Sequence, residues 1–147
     1  MATISHGARA QLAGRLRLAV SRTARRLRQE AGGGLPLSQT SALSTLDRHG
    51  PLSPSALASL ERIQRPTATR LLARLEADGL VERTPDPADG RCTQISVSAD
   101  GRALVRAVRT RKDEYLAKRL RSLDDDELAT LERAATILER MLEEDPA

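Results

Sequence analysis

Phenylalanine and tryptophan are absent from this chain of 147 residues, and Tyr115 is its only aromatic residue. Proteins that grip single-stranded nucleic acid stack bases on aromatic side chains, so a purely single-strand binder is disfavoured. A core without aromatic rings must be packed from Leu, Val, Ile and Ala, which favours helices on helices over a sandwich. Cys92 is the only cysteine, which excludes an intramolecular disulfide and a cysteine-based zinc site. No apolar run approaches the roughly 18 residues that span a bilayer. The N-terminal MATISHGARAQLAGR lacks a hydrophobic signal core. A soluble, cytoplasmic protein with no membrane partner is therefore expected. His6 and His49 lie far apart in the chain, and no metal site or cofactor is expected. No Ser/His/Asp or Cys/His set arises, so the chain does not read as an enzyme. The run Gly32-Gly33-Gly34 has no strand before it and no Lys-Ser/Thr after it, so it reads as a flexible turn rather than a phosphate cradle.

Charge is plentiful instead. Lys plus Arg number 24 against 20 Asp plus Glu, giving a net charge of +4 and a pI near 10.2. Only Lys112 and Lys118 are lysines; the remaining cations are arginine, the better residue for bidentate contacts to phosphate and guanine. The modest total makes the distribution of charge the informative quantity.

That distribution is most telling in RPTATRLLARLEADG, residues 65–79. Ala68, Leu71, Leu72 and Leu75 recur at i, i+3, i+4 and i+7, the apolar stripe of a helix. The opposite face holds Arg65, Thr69, Arg70 and Ala73, with Arg74 on its shoulder, and carries no carboxylate before Glu76 and Asp78. Those two acids oppose the helix dipole at its C-terminus, so a groove lined with phosphates tolerates them only if that end points away. Gly79 ends the helix. The pattern predicts a recognition helix.

The flanking chain supplies its framework. Residues 8–31 predict a first helix with Leu12, Leu16, Ala19, Val20, Thr23 and Leu27 as its inner stripe. Pro36 opens a second, with Leu37, Ala42, Leu43 and Leu46 inside and His49-Gly50 closing it. Ser53 is a natural N-cap and Pro54 a good first helical residue for a short third helix with Leu57, Leu60 and Ile63 apolar. A tight turn near Ile63-Gln64 then leads into the recognition helix, a helix-turn-helix arrangement. Residues 80–84 predict a short strand, residues 85–90 are turn chemistry throughout, and residues 91–98 alternate as a returning strand with Thr93, Ile95 and Val97 on one side. Ser98 caps a long helix carrying Leu104, Val105, Val108, Tyr115, Leu116 and Leu120. Asp124 and Glu127 form a capping box for a last helix whose Leu128, Leu131, Ala135, Leu138 and Leu142 keep a near-heptad seam, widened by Ile137 and Met141. The seam exceeds the needs of a lone monomer and points to a second copy of the chain. The predicted fold is mainly α with a small β-hairpin wing (α+β): a winged helix-turn-helix with N- and C-terminal dimerisation helices. Its divisions are an N-terminal dimerisation helix and turn (residues 1–34), a DNA-binding lobe (35–98) and C-terminal dimerisation helices (99–147).

Residues 53–104 resemble the DNA-binding core of MarR-family transcriptional regulators. The motifs are Leu75-Glu76-x-x-Gly79-Leu80-Val81-x-Arg83, the wing residues Asp86, Pro87, Asp89 and Arg91, and the helix start at Gly101. The resemblance implies a homodimer whose two lobes read a pseudo-palindromic operator in double-stranded DNA, with recognition-helix residues on base edges and a wing arginine in the minor groove. Arg91, held by Asp89, fits that insertion, while Gly90 stands where the family often has a basic residue. It also implies a small-molecule effector, often phenolic or anionic, bound between the dimerisation helices and the lobe; by analogy Leu16, Val20, Leu43, Val108 and Tyr115 would wall its pocket.

Arg65, Thr69 and Arg70 are the expected base-edge readers, being outward near the helix N-terminus; each bidentate arginine–guanine contact supplies about 1–3 kcal/mol of discrimination. Thr67 shares that first turn. Arg62, Arg74, and Ser53 or Ser55 are expected at phosphates. Arg83 either joins them or pairs with a helix acid to support the hairpin. Cys92 reads as a small packing residue in preference to a redox sensor, which needs exposure and a lowered pKa. The expected function is sequence-specific, double-stranded DNA-binding transcriptional regulation, by repression relieved through a small-molecule effector. The alternatives are a winged-helix protein-interaction module and a non-specific architectural DNA binder.

Overall fold

A computed structural model describes residues 5–143, and the stop signals written into the chain fall where its helices end. Helix α1 (His6–Ala31) is capped by the Ser5 hydroxyl, which accepts from the Ala8 amide, and terminates at the glycine run. Helices α2 (Leu37–His49), α3 (Pro54–Glu61) and α4 (Arg65–Ala77) follow, then strands β1 (Val81–Pro85) and β2 (Thr93–Val97), then α5 (Ala99–Leu120) and α6 (Asp125–Glu143). The Ser53 and Ser98 hydroxyls cap α3 and α5 by accepting from the amides of Ala56 and Gly101. Asp124 and Glu127 exchange side chain-to-amide hydrogen bonds at 2.8 and 3.1 Å, the reciprocal capping box ahead of α6.

One core holds the central elements together. Leu43 and Leu46 of α2, Leu57 of α3, Leu72 and Leu75 of α4 and Ile95 of β2 are the largest fully buried side chains. Leu71 and Leu80 pack on the edge of this cluster. Burying a leucine contributes about 1.5–3 kcal/mol, so the α4 stripe anchors that helix while its other face stays in water. The hairpin pairs antiparallel, Val81 with Val97 and Arg83 with Ile95, which turns Ile95 and Val97 inward. Leu52 extends this sheet by a single residue, exchanging both backbone hydrogen bonds with Ile95.

Gly79, at φ +73, lets the chain leave α4 for β1. Just beyond, the Ser98 amide donates to the Leu80 carbonyl at 3.0 Å and the Ser98 hydroxyl to the Gly79 carbonyl at 2.6 Å. These bonds bind the ends of both strands to the start of α5.

Helix α1 departs from the predicted burial, and the α6 seam is left uncovered within the single chain. Leu12, Leu16 and Val20 of the α1 stripe are exposed, and Ala31 is the buried residue of that helix. None of the α6 residues is buried, and Ile137 and Met141 are about half exposed. Helix α1 packs against α5, yet among the described residues nothing covers these apolar side chains. Leu37, expected inside, also faces solvent, as does the apolar Leu60. Where α1 does meet the body, the Arg111 guanidinium of α5 donates to the Ala31 carbonyl at 2.6 Å. This occupies an end-carbonyl that the helix cannot satisfy itself.

Candidate nucleic-acid interface

The turn between α3 and α4 is tight because Arg62 adopts a left-handed conformation, φ 53, the only positive φ outside glycine among the described residues. Such a backbone costs about 1–2 kcal/mol for an L-residue. Two amide bonds, Arg62 to the Ser59 carbonyl and Ile63 to the Ala58 carbonyl, hold it. Beneath the turn, Glu61 accepts from the hydroxyls of Ser41 (2.7 Å) and Thr45, which ties α3 to α2. The bracing helix is thereby fixed from behind while the Arg62 side chain stays exposed.

Helix α4 has no side-chain cap and no acid in its first turn, and Pro66 stands where a donor would go unused. Its N-terminal end therefore keeps its partial positive charge. At about 100° per residue, Pro66, Arg70, Ala73 and Ala77 lie opposite the buried Ala68, Leu72 and Leu75. Arg65 and Thr69 flank them on one side, Thr67 and Arg74 on the other, and all of these are exposed. Arg65 and Arg70 make no side-chain hydrogen bond or ion pair among the described residues. The acids at the far end are both engaged. Asp78 meets Arg74 at 3.3 Å, and Glu76 meets Arg83 of β1 at 2.7 Å. Arg83 thus links helix to hairpin, the second of its two expected roles. At the start of α3 the Ser53 oxygen is committed as a cap, whereas Ser55 faces solvent.

In the wing, Asp86 accepts from the Ala88 amide at 2.8 Å and from Gln94 at 3.1 Å. These two bonds, the Ala88 amide first, hold its carboxyl below the ordinary carboxylate range. Asp89 accepts from the Arg91 amide at 3.1 Å. It therefore holds Arg91 through the backbone, and the Arg91 side chain stays exposed. Cys92 is also exposed, contrary to the packing role expected of it, because the strand begins one residue later and its thiol lies 3.8 Å from Asp89.

The expected effector wall does not assemble as drawn. Leu43 and Val108 share a small recess with Gly33, Leu35 and Leu104. Leu16 and Val20 lie farther up α1, away from the end that meets α2 and α5. Tyr115 lines a separate hollow with Arg26, Glu30 and Arg119. Sequence reasoning missed the wider cleft of about 280 Å³ where Arg25 and Arg28 of α1, Lys112 and Val108 of α5 and Leu37 of α2 converge. Its one advance signal is the basic side of α1 near the glycine turn. Among the described residues, no group of three His, Cys, Asp or Glu is placed to hold a metal, and no helix is long and apolar enough to cross a membrane.

The MarR family model matches residues 35–93. An uncharacterized HTH-type transcriptional regulator of Mycobacterium leprae is 43% identical over 138 residues, covering 93% of this chain and 96% of that protein. The chain belongs to the MarR family. The MarR-family fold extends through the outer helices too. The structure of a MarR family protein from Bacillus stearothermophilus superposes with a TM-score of 0.83 at 25% identity, over 95% of this chain and 99% of that one. A regulator protein from Pseudomonas aeruginosa PA01 gives 0.82 at 36% identity, over 90% and 94%. This MarR-family chain is a transcriptional regulator, and α3, α4 and the hairpin are its DNA-binding winged helix-turn-helix.

Proposed function

We propose that this regulator acts by binding, not catalysis, as a cytoplasmic homodimer on a pseudo-palindromic operator. In each protomer α4 enters the major groove, with Arg65, Thr69 and Arg70 on base edges. Arg91 reaches the adjacent minor groove from a wing whose backbone Asp89 holds. Arg62, Arg74 and Thr67 serve the phosphates, and of Ser53 and Ser55 it is the exposed Ser55 that joins them. The observation that carries this reading is the exposed face of α4, where Arg65 and Arg70 stand unpaired among the described residues while Glu76 and Asp78 are engaged by Arg83 and Arg74. An unneutralised guanidinium in water loses little on meeting a guanine edge or a phosphate, and gains a charge-assisted pair.

Dimerisation is assigned to residues 1–34 and 99–147, with residues 35–98 as the reading lobe. The exposed Leu12, Leu16 and Val20 of α1 and Leu131, Ile137 and Met141 of α6 support a second copy as their cover. The cleft lined by Arg25, Arg28 and Lys112 supports an anionic effector with an apolar body, and its occupation is the signal that relieves repression.

The test is binding of the purified chain to its own upstream intergenic DNA against random duplex, across a salt series. Specific binding that weakens steeply with salt is expected. The substitutions Arg70→Ala and Arg91→Ala are each expected to lower operator affinity by an order of magnitude. Equal, weak binding to both duplexes would replace this reading with an architectural or protein-partner role.

A further inference from the structure

Resting on the assignment of α4 to the major groove, the geometry points to a specific reading of bases. We propose that Thr69 and Ala73 read thymine methyl groups beside a guanine read by Arg70. The half-site then contains a guanine with thymines close by.

The Thr69 hydroxyl donates to the Arg65 carbonyl one turn back, at 3.0 Å. A free hydroxyl rotates to suit either a donor or an acceptor on a base. Here its one hydrogen is spent on the backbone, so Thr69 cannot donate to a purine N7 or O6 without breaking that bond. What it has left to offer is an acceptor oxygen, already drawn towards the backbone, and its methyl group, which is the part that matches a thymine. Ala73 lies one turn farther on, exposed on the same face, and adds a second methyl. The two are separated by a rise of about 6 Å, close to two base-pair steps of about 3.4 Å. Arg70 is exposed between them in sequence and makes no ion pair among the described residues.

The composition of the face leaves few other reading groups. From residue 65 to 75 there is no Asn, Gln, Asp or Glu, the side chains that pair with adenine or accept from the cytosine amino group. Glu76, the next such group along the helix, is held by Arg83, and Gln64 stands at the N-cap before the helix begins. Guanidinium, hydroxyl and methyl groups are what this stretch presents, and the partners that match guanidinium and methyl in the major groove are guanine and the thymine methyl.

The test starts by selecting tight-binding duplexes from a random library with the full chain. Each thymine of the selected half-site is then replaced by deoxyuridine, which removes only the C5 methyl. Loss of a methyl contact is expected to weaken binding about fourfold per site. Thr69→Val, which keeps the methyl and removes the hydroxyl, should retain the full thymine-over-uracil ratio. Thr69→Ser should bring that ratio to one at a single position, and Ala73→Gly should do so at another. The ratio is read within each variant, so any loss of helix stability cancels. Uracil duplexes that bind as well as thymine duplexes would overturn the methyl reading. So would a Thr69→Val variant that loses the preference as Thr69→Ser does. Selection that enriches no sequence would instead overturn the placement of α4 on DNA.

Discussion

Replacing Gly101 by alanine sets two effects of opposite sign against each other. Gly101 is the third residue of α5, and alanine in a helix is more favourable than glycine by up to about 1 kcal/mol. Yet a Cβ there would stand 2.1 Å from the Leu80 carbonyl oxygen and 2.7 Å from Val97 Cγ1. The Leu80 carbonyl is backbone and cannot rotate aside, so the start of α5 must move off the strands by about 1.5 Å to reach ordinary contact. That motion stretches the bonds from Ser98 to Leu80 and Gly79, now 3.0 and 2.6 Å. Overpacking costs about 1–3 kcal/mol, and two weakened hydrogen bonds add about 1 kcal/mol each. The clash wins by about 3 kcal/mol, which at 2–4 °C per kcal/mol for a chain of this size lowers the Tm by roughly 6–12 °C. Thermal unfolding followed by circular dichroism, at fixed protomer concentration because association shifts the Tm, reads it. Gly90→Ala in the wing, where an added Cβ meets nothing within 4 Å, is the control and should melt with the parent. A Gly101→Ala variant that melts at or above the parent would refute the argument, since helix propensity would then have outweighed the contact.

Three further outcomes follow from the pairs described. Glu76→Gln breaks an exposed ion pair, so stability should change by less than about 1 kcal/mol. DNA affinity should rise with a steeper salt dependence, because a carboxylate is neutralised and Arg83 is released; weaker binding would contradict this. Tyr115, the only tyrosine in a chain without tryptophan, should ionise below the ordinary phenol range, because Arg26 and then Arg119 donate to its hydroxyl and favour the phenolate. Phenolate absorbance against pH measures it, and Arg26→Gln should move the transition upward. Asp86 is depressed by the Ala88 amide and Gln94, so its contribution is complete above the ordinary carboxylate range and is lost as pH falls through the folded-state pKa. The Ala88 amide resonance should shift only below that range, and in Asp86→Asn its acid-dependent shift should vanish.

Local chemistry made much of this regulator legible from the chain alone. The spacing of Ala68, Leu71, Leu72 and Leu75 defines the buried side of α4. Ser53, Ser98 and Asp124 mark helix starts because each needs only an amide two or three residues away. Gly79 and residues 85–90 mark turns because backbone sterics act within a few residues. The motifs from Leu75 to Arg91 were enough to suggest the family. Tertiary structure decided whatever depends on residues far apart in sequence. The bridge from Leu52 to Ile95 is one residue long and has no periodicity to betray it. The choice of Glu76 as the partner of Arg83 required the hairpin to fold back beside α4. The cleft lined by Arg25, Leu37 and Lys112 exists only where three helices converge. The stripe of α1 read as an inner face and is largely exposed, because periodicity states which side of a helix is apolar and not what covers it. A hydrophobic pattern is a property of neighbours along the chain; burial is a property of neighbours in space.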